Sequence, residues 1–536
     1  MDHRMDHPMT QPLRGAQPVI IAGAGPTGLM LAYELRRGGV DVLLVDRRAD
    51  RKVDGSRAAG MQPRTVEILD QRGVAEHFLT DGTPSRLTNF AGIPLDYSRM
   101  PSRFPAINIL QARTEEILDQ LATEAGAPVR WATEVTDIGQ DASGVEVTVS
   151  GPNGKETLTG SYLVACDGGR SVIRKLLGVG FPGVDASMVN LLADVELNDP
   201  PKRPVRLERH KAGLVTVLQL QPGWFRLVLT VRERLTEPGS PLTFEELRTM
   251  LKNIAGTDFG MHSARWLSSF TDANRQADQY RVRRVFLAGD AAHIHLPASG
   301  QGMSMGMQDA FNLGWKLAAV IRGEASETLL DSYHTERHTC DAEILKLVRA
   351  QSLLCDPGDR VVELVDLMTD LISSPEVNDR LSAMLSGLGT RYHLPGAHPL
   401  IGYRVPDADI MTDTGLRRVH ELLRSARFVL LDLGGNTSTR SDANTGPFGP
   451  RPIDLRANIT EWANRVDTVR GNAMTREWRI PGRAAIAAPT AVLVRPDGHV
   501  AWACDGPADV SALRLALAQW SGPISLAGPL GGPREP

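Results

Sequence analysis

The chain has 536 residues, 42% of them hydrophobic, with 59 lysines and arginines against 63 aspartates and glutamates. That length exceeds what one core organises, so two to four domains are expected. A formal net charge of −4 gives no reason to expect nucleic acid or an anionic membrane as partner. Cys166, Cys340, Cys355 and Cys504 show no C-x-x-C spacing, which argues against a zinc site or disulfide framework and suits reduced cytoplasmic thiols.

Residues 1–16 are polar and lack an apolar signal core, so they read as a flexible tail. No window approaches ~20 apolar residues, so no membrane span is expected. Val19-Ile20-Ile21-Ala22 reads as a buried parallel strand, followed at once by Gly23-Ala24-Gly25-Pro26-Thr27-Gly28. Leu29, Met30, Ala32, Tyr33 and Leu35 then recur at helical spacing, and a second strand, Val42–Val45, closes on Asp46. In this strand–turn–helix–strand setting Gly23 permits a tight turn, Gly25 lets the backbone approach a pyrophosphate, and Gly28 lets helix and strand pack closely. The N–H groups at the helix start hold phosphate, and Asp46, ~20 residues on, can take ribose hydroxyls. A dinucleotide site is expected, with FAD and NAD both open at this point.

Small residues surround Arg57 in Gly55-Ser56-Arg57-Ala58-Ala59-Gly60-Met61, which suits a loop against a ligand; a solvated surface loop is the plain alternative. A helical pattern follows through Val66, Ile68 and Leu69. Gln111-Ala112-Arg113 precedes an amphipathic helix in which Ile117, Leu118 and Leu121 share a face. Val129–Val149 alternates as strands around an Asp141–Gly144 turn, and Pro152–Lys155 is a second tight turn. Tyr162–Ala165 is another buried strand, delivering Cys166-Asp167-Gly168-Gly169-Arg170-Ser171.

From about Phe181 to Tyr280 strands such as Gly213–Leu220 and Trp224–Val231 alternate with polar turns, with a helix near Phe244–Ile254. This reads as a sheet-rich substrate domain, 181–280, inserted into an α/β Rossmann-like domain formed by 17–180 and 281–395. Trp224, Phe225 and Phe270 are candidates to line an aromatic pocket in it, although each taken alone reads as core. Val285–Asp290 returns to parallel-strand character, and helices are expected over about Gly306–Arg322 and Asp331–Ala350. Gly396–Asp413, rich in Pro, Gly and Asp, marks a boundary. Beyond it, Phe428–Leu433, Val466–Val469, Ala491–Val494 and Val500–Ala503 are strands, Arg495-Pro496-Asp497-Gly498 a hairpin turn, and Val510–Trp520 a helix. The module 396–536 is thus a small thioredoxin-like α/β unit without the redox cysteine pair, suited to packing or a homo-oligomer contact. Its last ten residues read as a frayed end.

Three strands therefore run into glycine-bearing turns, the last two with an aspartate: G-A-G-P-T-G at 23–28, C-D-G-G-R-S at 166–171 and L-A-G-D-A-A-H at 287–293. In doubly wound sheets strand C-termini line the ligand crevice. Asp290 can reach ribose oxygens, although alone it would read as a helix cap. The helix beyond Gly300 points its N–H dipoles at whatever lies in front, and a flavin's pyrimidine edge would suit that place. His293 and His295 are spaced H-x-H, but no third ligand cluster accompanies them; loop packing is expected rather than a metal or a general base.

On these three motifs, with Gly300-Gln301-Gly302-Met303 and the run Asp309–Leu317 after the third, the sequence resembles the class A FAD-dependent aromatic hydroxylases, the p-hydroxybenzoate hydroxylase-like flavoproteins. Within them it is most similar to bacterial polyketide-tailoring and rifampicin monooxygenases, over roughly Val19 to Trp520. The resemblance implies that Gly23, Gly25, Pro26, Thr27 and Gly28 hold the FAD pyrophosphate and that Asp46, with Arg47, holds the adenosine ribose. It implies that Arg57 touches FAD and takes part in flavin movement and nicotinamide contact, and that Gln111 lies near the ribityl chain. Asp167 and Gly168 would serve FAD and NAD(P)H, Asp290 the ribityl or ribose, and Pro297 the flavin's front face. Gly300, Gly302, Met303 and Ser304 would offer backbone N–H groups to the ring; Ser304 stands where relatives usually carry asparagine.

The activity so implied is a monooxygenase. NAD(P)H, with NADPH favoured, reduces FAD, and O2 yields a flavin C4a-hydroperoxide that passes one oxygen to a polycyclic aromatic substrate in a water-free cavity. Baeyer–Villiger oxygenation of a polyketide and inactivation of an aromatic antibiotic remain open beside ring hydroxylation. A flavin-dependent halogenase is disfavoured, because Trp478-Arg479-Ile480-Pro481 lacks the first tryptophan of W-x-W-x-I-P.

Overall fold

The computed structural model describes residues 16–52, 55–203, 205–235, 240–297, 300–434 and 454–523. Nearly all of the expected N-terminal tail, and the frayed C-terminal end, lie outside the described residues. The first strand, Val19–Ala22, sits inside a six-stranded sheet ordered 281–282, 285–287, 162–165, 19–22, 42–45, 129–130. All neighbours are parallel except the pair formed by Arg281–Val282 and Val285–Leu287. Val19–Ala22, Tyr162–Ala165 and Val285–Leu287 are buried at every position, as parallel strands covered on both faces must be. Ala22 is in register with Ala165, and Ala165 with Leu287, so the three glycine-bearing tips leave the sheet side by side.

The inserted region forms a five-stranded antiparallel sheet ordered 205–210, 213–221, 224–231, 189–197, 261–271. Leu191, Ala193, Val195, Val215, Val217, Leu227 and Leu229 cover one face of it and pack on the helix Phe244–Ala255, which the Thr243 hydroxyl caps. Phe225 packs with this core. It therefore points away from the cleft and takes the core alternative rather than the pocket one, because in a strand it shares a face with Leu227 and Leu229 rather than with Arg226.

The long helix runs Gln301–Ile321, beginning five residues before the hydrophobic pattern suggests. Gly306 lies where this helix meets the first helix, Pro26–Arg37, and a Cβ there would fall 2.2 Å from Thr27 Oγ1. Helices Asp331–Leu354, Val362–Ser373 and Pro375–Leu385 follow. No helix among the described residues is long and apolar enough to cross a membrane.

In the C-terminal module the strands 466–473, 428–432, 491–494 and 500–504 are adjacent in that order, the first pair parallel and the others antiparallel, followed by the helix Val510–Ser521. This is the thioredoxin-like order. Its hairpin turn does not sit at the surface: Arg495 and Asp497 are 0% and 1% exposed. Arg495 bonds Glu336 at 2.7 and 2.8 Å, Lys316 reaches Glu336 at 2.8 Å, and Trp315 donates to Asp497 at 3.1 Å. Arg64 and Arg72 bond the carbonyls of Asp497 and Pro496, both at 2.9 Å. The module is thus plugged into the back of the two long helices.

Candidate active site

The glycines at the first strand tip divide into closed and open positions. Gly23 has φ +109°, and a Cβ on it would lie 2.2 Å from the Cys166 carbonyl oxygen; one on Gly28 would lie 1.9 Å from the Gly23 carbonyl oxygen. These two weld the turn to its helix and to the next strand. At Gly25, and at Gly168 (φ +84°), an added Cβ meets nothing within 4 Å. Both face open space in front of the sheet. Pro26 is buried as the first helical residue, and the Thr27 side chain fills the joint to Gly289 and Gly306. The role of Thr27's side chain here is packing, so only its backbone is left to face a phosphate.

Asp46 is nearly buried and accepts from Ala24 N at 2.7 Å and from Arg48 N at 2.8 Å. Arg48 also bonds Glu115 at 2.9 Å and the Ala24 carbonyl at 2.9 Å, with its guanidinium 5.3 Å from the Trp131 ring centroid. Arg47 is exposed. Arg48, not Arg47, occupies the inner place, since along this turn alternate side chains leave in opposite directions. Gln111 begins its helix rather than preceding it, bonds Glu115 at 2.8 Å, and hangs from the Ala58 carbonyl at 3.0 Å, beside the Arg57 loop.

Asp167 uses one oxygen to hold Val172 N at 2.8 Å; its other oxygen is buried without a hydrogen-bond partner among the described residues. Asp290 is exposed although Gly289 and Ala291 beside it are buried, so its carboxylate opens into the cleft. Arg57 feels the Asp290 charge and spans to the inserted domain, bonding Ser268 Oγ and the Ser269 carbonyl, each at 3.2 Å, 5.8 Å from the Phe270 ring centroid. Trp266, which the sequence reading missed, backs the same loop: a Cβ on Gly55 would fall 2.2 Å from its ring. Trp224 sits at the hairpin end of the sheet beneath Arg265, at 4.5 Å, leaving Phe270 as the one proposed aromatic that touches Arg57.

Gly300 adopts the left-handed region (φ +68°) that starts the long helix and lies beside the Gly60 carbonyl. Pro297 is exposed, and Gly302 is next to His295. Met303 leans on the main core, while the Ser304 hydroxyl accepts from Gln62 N at 3.1 Å. Ser304 thereby ties the long helix to the start of Pro63–Asp70, a task its side chain performs away from any ring.

Beneath this floor lies a buried charge cluster. His293 Nε2 is 2.8 Å from Asp309, which also accepts from Gly289 N at 3.0 Å and from Arg337 at 2.7 Å; Arg337 reaches Asp341 at 2.7 Å, and Tyr280 donates to Asp341 at 3.1 Å. Burial pulls the imidazole toward neutrality, but Asp341 and Asp309 overcome it and hold His293 up at about 9. His293 is therefore a cation locked under the Asp290 turn, not a loop-packing residue. His295, buried without such partners, is pushed down to about 4.

The open strip from Gly25 past Gly168 to Asp290 and Gly300 fits FAD: open backbone for a pyrophosphate, an exposed and a half-paired carboxylate for hydroxyls, and a helix N-terminus for the ring. The sequence family described as FAD binding domain matches residues 16–348, and that described as aromatic-ring hydroxylase, C-terminal, matches 398–523. The 12-dehydrotetracycline 5-monooxygenase/anhydrotetracycline 6-monooxygenase of Streptomyces rimosus is 43% identical over 95% of this chain and 99% of its own. Rifampicin monooxygenase of Streptomyces venezuelae is 38% identical over 94% and 98%. The structure of an anhydrotetracycline hydroxylase from Streptomyces rimosus superposes with a TM-score of 0.86 at 42% identity, covering 95% of this chain and 100% of that one.

Proposed function

The chain belongs to the FAD-dependent aromatic-ring hydroxylases, and on that footing we propose that it hydroxylates a fused-ring aromatic polyketide of the anhydrotetracycline type, drawing on NADPH. It is a flavoprotein monooxygenase that uses FAD, O2 and a reduced nicotinamide. The observation that carries the reading is the convergence of three glycine-bearing strand tips, two of them with an aspartate, on one open cleft, bridged by Arg57 to the face of the inserted sheet. When bound, FAD supplies hydride acceptance and the activation of O2.

The chain's own residues supply place and polarity. The N–H groups around Gly25 take the pyrophosphate, Asp46 the adenosine ribose, and Asp167, Gly168 and Asp290 the middle of the cofactor. The amides from Gly300 to Ser304, at the positive end of a 21-residue helix, stabilise negative charge on the ring edge. Arg57 carries a positive charge on the opposite wall, where it can receive a nicotinamide that visits without a second dinucleotide fold, and Pro297 borders the ring's front. The inserted sheet closes the cavity against water. Four unpaired cysteines suit work in the cytoplasm.

The test is to purify the yellow protein, identify its flavin, and follow NADPH and O2 consumption with anhydrotetracycline and related polycycles. The expected product gains one oxygen on an aromatic carbon. Oxygen inserted beside a ketone would make it a Baeyer–Villiger enzyme, and gain of chlorine or of nothing would end the hydroxylase reading.

A further inference from the structure

We propose that Asn190 is the hydrogen-bond donor that seats a keto or phenolate oxygen of the polycyclic substrate and so decides which ring edge faces Arg57. The proposal rests on the polycycle reading given above. In the strand Val189–Leu197, Leu191, Ala193 and Val195 belong to the core against the Phe244 helix, so Asn190, Leu192 and Asp194 look the other way. That other face is the one that meets the flavin side. Ser268, in register with Leu192, holds Arg57; Phe270, in register with Asn190, lies beside the same guanidinium; Arg226, in register with Asp194, donates to the Arg57 carbonyl at 3.3 Å.

Polar groups on this face are otherwise committed. Arg226 donates two buried hydrogen bonds to the Asp194 carboxylate at 2.9 and 3.2 Å, and Ser268 and Ser269 are spent on Arg57. Thr230 Oγ1 donates to Asn190 Oδ1 at 2.7 Å, which turns the amide and fixes where its nitrogen points. Asn190 is 4% exposed, yet its Nδ2 has no partner among the described residues. Leu214, in register with Thr230, joins the apolar cluster of Phe90, Ile93, Met188 and Leu347. A lone oriented donor beside apolar walls is how a cavity fixes the pose of a large flat ligand. Stable water there would need two or more further polar partners, which this face has already used. The ligand group must therefore be an acceptor, and on a fused aromatic polyketide that is a ring ketone or phenolate.

The test uses holoenzyme and two probes of one shape, anthraquinone-2-sulfonate and anthracene-2-sulfonate, titrated by perturbation of the flavin spectrum. The wild type should prefer the quinone by on the order of tenfold or more. Asn190→Leu should bring the two to parity by weakening the quinone alone, with FAD content unchanged. Asn190→Asp, which keeps the shape but offers only acceptors, should do the same and decides the matter if the leucine variant fails to fold. A quinone preference that survives in a folded variant overturns the proposal, as does a wild type that binds both probes equally. If neither probe binds the wild type, the polycycle reading falls with it.

Discussion

Three residues apart in the first turn, a side chain would have opposite consequences. Gly25 has φ −75°, which any residue adopts, and open space before it; Gly28 is pressed against the Gly23 carbonyl. Gly25→Val should fold with an unchanged melting temperature for the apo-protein but emerge colourless, whereas Gly28→Ala should lose about 1–3 kcal/mol through a forced backbone shift. Flavin absorbance and thermal melts on both variants check this, and a yellow Gly25→Val protein would refute the cradle. His293 offers a second test. Its folded pKa, about 9, lies above the ordinary 6.5, so protonation favours the fold. That stability is whole below pH 6.5 and is lost as the pH rises through about 9. The melting-temperature gap between wild type and His293→Gln should therefore narrow from pH 8 to 9, above the window in which the neighbouring Asp341, raised by burial to about 7, gives up its own proton. Lys316, which burial lowers to about 8 with Glu336 partly restoring it, acts with the opposite sign but is common to both proteins and leaves the gap untouched. The glycine motif was legible because it is local: six residues make one turn. The His293–Asp309 pair was not, since neither residue declares a partner 16 positions away.

The long helix shows the same limit at the level of elements. Its apolar residues beyond Gly306 were visible, but its first turn carries little of the pattern, and only the crossing with the first helix explains why Gly306 is required. Gly306→Val should be destabilising by about 1–3 kcal/mol and should weaken FAD binding, because it drives the two helices of the cleft floor apart. Gly302→Ala, whose nearest neighbour would be 3.6 Å away, should be tolerated. Equal effects of the two in denaturant titrations would contradict the crossing. The strands of the inserted sheet were likewise found from alternation, yet alternation alone does not say which face is the core. For that reason Phe225 read equally as pocket and as core, which it joins, and Trp266 was passed over.

For the molecule as a whole, the three converging tips were legible because each strand carries its own glycine-bearing ending, whereas the order of the strands in the sheet was not read. The joint between the C-terminal module and the rest was not, because Arg495-Pro496-Asp497-Gly498 reads as an ordinary hairpin turn. In the fold it is a buried ionic plug, in which Arg495 faces Glu336 and Asp497 far from water. Arg495→Met strands part of this charge and should cost about 3–5 kcal/mol. The loss should appear as a single lowered transition spanning flavin release and global unfolding. Two separated transitions, with flavin retained through the first, would show that the module is merely appended.

That plug also sets an order of events during synthesis. Glu336 is made 159 residues before the arginine that neutralises it. Until the ribosome has delivered the turn, the two helices behind the glycine cradle stand with a lysine and a glutamate facing an unfinished wall. Cofactor capture should then wait for the C-terminal module rather than follow the first emergence of the nucleotide motif. A nascent chain stalled just short of Arg495 should stay colourless in a medium rich in FAD, and one stalled well beyond the last helix should turn yellow.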